Sequence, residues 1–185
     1  MPRAVDPEER RREISNAVFT LAIERGFGEV TIRAVAAELG ASTTVVTHYF
    51  ASRDEMIAAT LRHELEAFMR AIDAELAGRD GAAAIRALVA FAVFDAPAQL
   101  RDFWMATVID ASREATVRAE ARRFDALWDA RLDALVSQLH SPRHKTRADQ
   151  IDLVISGAIM LGAEGVAESA RRRTVDSMLD LILDS

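Results

Sequence analysis

Apolar residues recur along this 185-residue chain at intervals of three and four positions, which is the repeat of an amphipathic α-helix. The first such stripe runs from Ile14 to Ala22. Asp6 and Pro7 supply a helix N-cap and a proline at the first helical position, and Gly26 supplies a stop signal. The pattern therefore predicts one helix between these signals, with a single buried face.

Two short helices are predicted next, separated by a tight turn. Thr31 can cap a helix whose apolar stripe runs over residues 32–39, and Gly40 can adopt the left-handed conformation that ends it. Ser42 then caps a third helix that reaches residue 50. Because Gly40-Ala41 leaves room only for a tight turn, this spacing is typical of a helix-turn-helix.

The rest of the chain continues as helices. Ser52 with Glu55 three residues later forms a capping-box pattern that opens a long helix reaching about residue 76. Further helices are predicted over about 82–94, after 95–97, and over 117–139, 151–167 and 174–184. No strand pattern competes, so we predict an all-α protein of about nine helices. A three-helix unit that contains the helix-turn-helix, residues 1–52, precedes a larger helical bundle, residues 53–185.

Composition and charge refine this picture. The net charge is −6, but the first 53 residues hold seven arginines and seven acids, so the remaining residues carry the whole excess. Gly40–Arg53 contains no acid, which suits a surface that faces phosphates. The start of the chain lacks the apolar stretch of a signal peptide, and the longest apolar run is shorter than a membrane span. We expect a cytoplasmic protein with no membrane partner.

Catalytic constellations are missing from the sequence. There is no cysteine, no G-x-S-x-G elbow, no phosphate-binding glycine loop and no H-E-x-x-H pair. His63-Glu64 and the pair His140 and His144 are the nearest features to a metal site, and solvated side chains explain them better. We therefore predict no catalytic residue, no metal and no cofactor.

The third predicted helix divides into two arcs when it is drawn at about 100° per residue. One arc carries Val45, Val46, Tyr49 and Phe50, which can pack on the first two helices. The opposite arc carries Thr43, Thr44, Thr47 and His48. Hydroxyl and imidazole groups can bond phosphates or base edges in a major groove. A polar face on an ordinary helical bundle is the alternative that spacing alone leaves open.

The sequence from Thr31 to Ser42, TIRAVAAELGAS, and that from His48 to Ile57, HYFASRDEMI, resemble the DNA-binding signature of the tetracycline-repressor (TetR/AcrR) family. The resemblance covers roughly residues 10–60. A hydroxyl residue followed by His-Tyr-Phe also resembles the branch of choline-responsive betaine-operon repressors. The family usually has tyrosine where this chain has Thr47, so a contact made by that tyrosine cannot be transferred.

The resemblance implies where the chain touches double-stranded DNA. Thr31 and Arg33 would meet phosphate, the exposed arc of the third helix would face the groove, and Tyr49 and Arg53 would approach the DNA backbone. The complete set of DNA-binding candidates is Thr31, Arg33, Ser42, Thr43, Thr44, Thr47, His48, Tyr49 and Arg53. The consecutive arginines 10–12 either form a further phosphate-binding arm or belong to a solvated helix start whose acids offset them.

The resemblance also implies a ligand-responsive transcriptional regulator, a repressor that binds an inverted-repeat operator as a homodimer and is released by a small-molecule effector of unknown identity. Residues 1–52 would then be the DNA-binding domain, and residues 53–185 would bind the effector and form the dimer. The apolar residues of 151–167 and 175–182 exceed what one core face needs, so they could form a four-helix interface, or simply complete their own core. The effector-binding candidates are Met69, Phe91, Phe103, Trp104, Phe124 and Trp128. Such side chains either line a pocket or form plain core. The long fourth helix would couple the two functions. The alternative is a helical interaction or ligand-binding module without specific DNA binding.

Overall fold

The computed structural model of the protein describes residues 6–139 and 144–184. These residues form nine α-helices and contain no strand: α1 Pro7–Arg25, α2 Ile32–Glu38, α3 Thr43–Tyr49, α4 Arg53–Leu76, α5 Gly81–Ala90, α6 Ala98–Asp110, α7 Ala115–Ser137, α8 His144–Ala163 and α9 Glu168–Leu183. A 3₁₀ turn, Phe27–Glu29, follows α1. The all-α class and the number of helices predicted from the sequence are confirmed.

Local capping residues explain where α1, α2 and α4 begin. The Asp6 side chain accepts a hydrogen bond from the Glu8 backbone N–H at 3.1 Å, and Thr31 Oγ1 accepts one from the Ala34 N–H at 3.0 Å. At the start of α4, the Ser52 hydroxyl accepts from the Glu55 N–H at 3.1 Å. These side chains satisfy backbone donors that a helix leaves unpaired in its first turn. The predicted caps at Asp6, Thr31 and Ser52 are therefore confirmed, whereas Ser42 stands at the N-cap position of α3 without a side-chain capping hydrogen bond.

Three predicted boundaries in the second half are wrong. The helix predicted to reach residue 94 ends as an α-helix at Ala90 and continues as a five-residue π-helical segment, Phe91–Asp95. The helix predicted over 151–167 spans 144–163, because Gly165 takes a positive φ of 84° and breaks the apolar run. The last helix begins at Glu168 rather than near Thr174, since its first turns are charged and carry no apolar stripe.

One compact unit consists of the described residues 6–67 and 98–124. It contains α1 to α3, the first part of α4, all of α6 and the start of α7. Its core is formed by fully or nearly fully buried side chains that include Ile14, Val18, Leu21, Phe27, Val35, Val46, Phe50, Ile57, Leu61, Phe103 and Val117. The helix-turn-helix therefore packs into one core together with α6.

A second compact unit consists of residues 68–97 and the described part of 125–184. It contains the end of α4, α5, the π-helical segment, most of α7, and the α8–α9 pair. Its buried side chains include Ile72, Ile85, Leu88, Trp128, Leu132, Ile151, Val154, Val175 and Leu179. The predicted functional boundary at residues 52/53 stays a prediction, because compact packing does not by itself define function.

The described residues bear on two further predictions. No single described helix is long and apolar enough to cross a membrane; only a broken pair, residues 81–95 with 98–110, reaches that length and apolarity together. No group of three or more His, Asp or Glu side chains in the described ranges could hold a metal ion. Of the weak metal candidates, His140 lies outside the described residues, as does the side chain of His144.

Candidate nucleic-acid interface

Helix α3 presents the two arcs that its sequence predicts. Val46 and Phe50 are buried in the core of the first unit. Thr43, Thr44, Thr47 and His48 are all exposed on the opposite side. The Thr47 hydroxyl donates weakly to the Thr44 carbonyl at 3.3 Å. The helix therefore offers three hydroxyls and one imidazole to a partner, while apolar packing holds its other side.

The turn between α2 and α3 fixes the position of this exposed face. Gly40 adopts a φ of +60°, the left-handed conformation predicted for it. Its N–H donates to the Ala37 carbonyl at 3.0 Å, and the Ala41 N–H donates to the Ala36 carbonyl at 2.9 Å. This hydrogen-bond pattern is a Schellman motif, which ends α2 and starts α3 after only four residues. The crossing of the two helices is thus set by backbone hydrogen bonds.

The predicted phosphate contacts at the helix starts lie on the surface. Arg33 is exposed in the first turn of α2, beside the capping Thr31. Ser42 is the N-cap residue of α3, but its exposed hydroxyl makes no capping hydrogen bond to the helix. Hydroxyl, guanidinium and backbone N–H groups at helix starts are the donors that position DNA-binding proteins on phosphates. The structure thus brings Thr31, Arg33 and Ser42 to the same short helix-turn-helix as the exposed arc.

Tyr49 is half-buried and serves as a support for its neighbours. The His48 ring meets it edge-on, with ring centroids 4.9 Å apart. The Arg11 guanidinium lies over the Phe50 ring at 5.2 Å and over the Tyr49 ring at 5.9 Å. A cation over an aromatic face gains a modest attraction. Arg11 therefore packs α1 on the end of α3.

The other arginines proposed as a phosphate arm differ in their partners. Arg10 pairs with Glu13 one turn later, with an N–O distance of 2.6 Å. Arg12 lines a small polar groove with Glu9, Glu13 and His63, among others. Acids on α1 therefore accompany two of the three arginines, and the arm stays a prediction.

Arg53 is engaged within the first unit rather than free on its surface. Its Nε donates to the Val30 carbonyl and one terminal nitrogen to the Phe27 carbonyl, both at 2.6 Å. Its other terminal nitrogen pairs with Glu114 at 3.2 Å. The same terminal nitrogen also lies 3.6 Å from Asp54 Oδ1, so at least three of the five guanidinium N–H donors are engaged within the chain. The contacts assign Arg53 first to the internal structure, and its predicted approach to DNA stays a prediction.

The six effector candidates divide between the two units. Phe103 is fully buried in the core of the first unit, stacked on Phe19 at 4.6 Å and tilted against Phe27 at 5.6 Å. Trp104 and Phe124 form a second pair in the same unit, with ring centroids 4.8 Å apart. Because Phe103 has no free surface, its packing fits plain core.

Met69, Phe91 and Trp128 belong to the second unit. Phe68, which is not among the effector candidates, stacks on Phe91 at 6.0 Å and on Trp128 at 6.2 Å. The Trp128 indole N–H donates to Asp152 Oδ1 at 2.7 Å. Phe68 is therefore the centre of an aromatic group, and its position between Phe91 and Trp128 could not be read from helical spacing.

Two acidic side chains have perturbed proton affinities. Partial burial raises the pKa of the Glu64 carboxyl on α4, and the neighbouring His63 opposes this rise. On α7, partial burial raises the pKa of Asp125, and the like charges of Asp129 and Asp152 raise it further. Each carboxylate is thus less stable in its charged form than it would be in water.

An all-α fold that begins with a helix-turn-helix, whose exposed arc is polar, is typical of DNA-binding regulators. The sequence profile of bacterial regulatory proteins of the tetR family matches residues 14–60. The HTH-type transcriptional regulator BetI of Paraburkholderia xenovorans is 30% identical to this chain over 195 aligned residues, covering 100% of this chain and 99% of that protein. The chain therefore belongs to the tetR family of transcriptional regulators, and the resemblance found in its sequence is confirmed.

Other similarities are shorter or concern the fold alone. The HTH-type transcriptional regulator PksA of Bacillus subtilis is 36% identical over 62 residues, which are 34% of this chain and 30% of that protein. A transcriptional regulator of Saccharomonospora viridis, solved in complex with choline, has a TM-score of 0.73 at 21% identity, covering 96% of this chain and 95% of that one. The family match and the similarity to BetI over the whole chain support a transcriptional regulator rather than an enzyme.

Proposed function

We propose that this regulator is a repressor that binds an inverted-repeat operator as a homodimer and leaves it when a small-molecule effector binds. The observation that carries the proposal is the exposed arc Thr43, Thr44, Thr47 and His48, mounted on a helix whose other side is buried. An acid-free stretch of sequence surrounds this arc. Such a face suits the major groove, and we propose that the protein acts in the cytoplasm, where chromosomal DNA lies.

We assign the dimer contact to the α8–α9 pair. An open groove of about 440 Å³ runs between these helices, and its lining is mainly apolar. Leu153 and Leu181, on either side of it, are 71% and 73% exposed, while Met178 is also exposed. Monomeric proteins seldom leave such patches uncovered. A second copy would present the same surface, so the two helix pairs would bury each other across a two-fold axis.

Glycine and arginine shape this groove for close helix packing. No atom of another part of the described chain lies within 4 Å of where a Cβ of Gly157 would stand, which leaves space for a partner helix. Arg171 reaches across to the Ala158 carbonyl at 3.1 Å and closes the end of the groove near Gly162. Contacts between α8 and α9 themselves therefore fix the shape of the groove.

For the effector we propose an apolar or cationic small molecule held by aromatic side chains. The pair Trp104–Phe124 within the first unit and, separately, the group around Phe91 and Trp128 within the second unit each offer ring faces of the kind that attract cations. The choline bound to the Saccharomonospora viridis regulator, whose fold is similar, makes choline the first compound to test. The full burial of Phe103 leads us to leave it out of the proposed set.

Coupling through α4 completes the proposal. This helix starts at Arg53, beside the DNA-binding arc in sequence, and reaches Met69 among the effector candidates. An effector can change operator affinity only through its difference in affinity for the two conformations of the protein. The effect must therefore be reciprocal, so operator DNA must weaken effector binding by the same factor.

The test is a fluorescence-anisotropy titration of the full chain on labelled duplexes from the region upstream of its own gene, at several salt concentrations. We expect saturable binding to an inverted repeat that weakens steeply as salt rises. Both tryptophans, Trp104 and Trp128, are effector candidates, so their fluorescence reports choline or another added amine directly. Equal, weak binding to every duplex would instead support a helical module without specific DNA binding.

A further inference from the structure

The carboxylate of Asp110, the last residue of α6, lies against the backbone just before the helix-turn-helix. Its Oδ2 accepts a hydrogen bond from the Phe27 N–H at 2.6 Å, across 83 residues of sequence. The Asp110 side chain is buried, and a charge-assisted hydrogen bond of this length is a strong one. The end of α6 is therefore bonded to the 3₁₀ turn that leads into α2.

Gly26 makes this approach possible. It adopts a φ of +81°, and a Cβ added there would stand 3.0 Å from Asp110 Oδ2. A side chain at this position would be strained by its backbone conformation and would also press on the carboxylate. The glycine that ends α1 thus also leaves room for the oxygen that Asp110 places on Phe27.

Arg53 binds the backbone carbonyl groups of the same turn. Its guanidinium binds the carbonyl oxygens of Phe27 and Val30, and Glu114 pairs with it at 3.2 Å. The segment from Phe27 to Val30 is thus fixed through its N–H by α6 and through its carbonyls by the start of α4. We call the side chains of Asp110, Arg53 and Glu114, together with the backbone of residues 27–30, the polar clamp.

Aromatic packing also fixes Phe27, which is part of the polar clamp. The Phe27 ring lies fully buried against Phe103 of α6, which in turn stacks on Phe19 of α1. A hydrogen bond and a buried ring contact therefore join the same residue, Phe27, to the same helix. Since close-packed interiors resist small shifts, the turn has little freedom to move relative to α6.

We infer that Asp110 is a positioning residue for operator recognition, acting through the turn before α2 on the orientation of α3. Thr31 caps α2 directly after the clamped segment, and the Schellman turn at Gly40 joins α2 rigidly to α3. Any rotation of residues 27–30 therefore turns the exposed arc of α3 with it. The inference rests on the proposed dimer, because two arcs must meet two half-sites about one DNA turn, roughly 34–36 Å, apart.

The test measures how strictly the protein demands that spacing. The full chain and Asp110→Ala are titrated on operators whose half-sites are separated by the native distance or by one base pair more or less. Each base pair changes the rotation between half-sites by about 34°. We expect the unmodified protein to lose about tenfold in affinity per step, which corresponds to about 1.4 kcal/mol, and the variant to lose less than about threefold.

The ratio between operators separates positioning from simple stabilisation. A variant that is merely less stable binds every operator less well by the same factor, so its ratio stays that of the unmodified protein. Asp110→Asn keeps an acceptor oxygen and should restore the spacing preference. Asp102→Ala removes an exposed carboxylate from the same helix and should leave the preference unchanged.

If Asp110→Ala does not fold, Glu114→Gln is measured in its place, because it loosens Arg53 without removing its two carbonyl contacts, and a partial loss of spacing preference is expected. An unchanged preference in the folded variants would overturn the positioning role. If the unmodified protein itself binds no inverted repeat, the proposed function fails instead.

Discussion

Replacing Leu181 by glutamate should separate the two copies of the proposed dimer. Leu181 on α9 is 73% exposed in the single chain. Fully burying a leucine is worth about 1.5–3 kcal/mol, so covering this one contributes about 1–2 kcal/mol in each copy. Because a two-fold interface contains the position twice, the substitution removes about 2–4 kcal/mol. This loss raises the Kd of the dimer about 30-fold to 1,000-fold.

The introduced carboxylates increase this effect. Each would have to be buried against an apolar surface or keep the two copies apart, and an unpaired charge is costly to bury. Sedimentation velocity over a range of protein concentrations measures the shift from dimer to monomer. Operator affinity should fall with it, since a monomer contacts only one half-site, while far-UV circular dichroism should stay unchanged.

A matched control uses the same change outside the groove. Leu127 on α7 is 51% exposed and does not line the α8–α9 groove, so Leu127→Glu should leave the dimer intact. If Leu181→Glu remained as dimeric as the unmodified chain at every concentration, the assignment of the dimer contact to α8 and α9 would be refuted.

Three further predictions follow from the described contacts. Thr47→Ala and His48→Ala should each weaken operator binding by about 1–3 kcal/mol if they read base edges, without a change in thermal stability. Unchanged operator affinity of both variants in anisotropy titrations would mean that another surface of the protein reads the bases. Phe103→Ala should cost about 3–5 kcal/mol in chemical denaturation because it removes a fully buried ring, and a cost below 1 kcal/mol would contradict its role in the core. Glu64→Gln should become more stable than the unmodified chain as the pH rises above 4.5, the ordinary pKa of the group, because a raised pKa means that ionisation of Glu64 opposes folding. The exposed Glu66→Gln is the control, and an equal dependence of the free energy of unfolding on pH in both variants would count against the burial of Glu64.

The helix ends around the helix-turn-helix could be predicted because the residues that set them are close together in the sequence. Thr31, Gly40 and Ser52 each act on backbone groups within five residues, so the sequence itself contains both partners of every cap. One detail escaped this reasoning. The Glu55 carboxylate accepts from the Ala51 N–H at 2.8 Å, one residue before the donor that a capping box would use.

The second half was harder because an apolar run can hide a helix end. Residues 151–167 are apolar almost throughout, so their periodicity gave no sign of the break that Gly165 introduces. The charged first turns of α9 carried no stripe for the opposite reason. Helical periodicity reports which face is buried only where polar residues alternate with apolar ones.

The effector candidates show a second limit of helical periodicity. Spacing identifies the aromatic residues that face inward, but it does not tell which other helix they meet. Phe103 and Trp104 are adjacent in sequence, yet Phe103 is fully buried between Phe19 and Phe27, whereas Trp104 is partly exposed beside Phe124. Only the packed structure separates a core residue from a candidate for ligand contact.

Long-range polar contacts lie beyond such reasoning altogether, and they change what one charged residue can be expected to do. Arg53 matched a DNA-binding motif and was predicted to meet phosphate, but three of its five donors bind Phe27, Val30 and Glu114. A phosphate contact would have to use the remaining donors without releasing the turn. Arg53→Lys, which keeps the charge but not the planar donor set, should therefore disturb the spacing preference of the operator more than the salt dependence of binding.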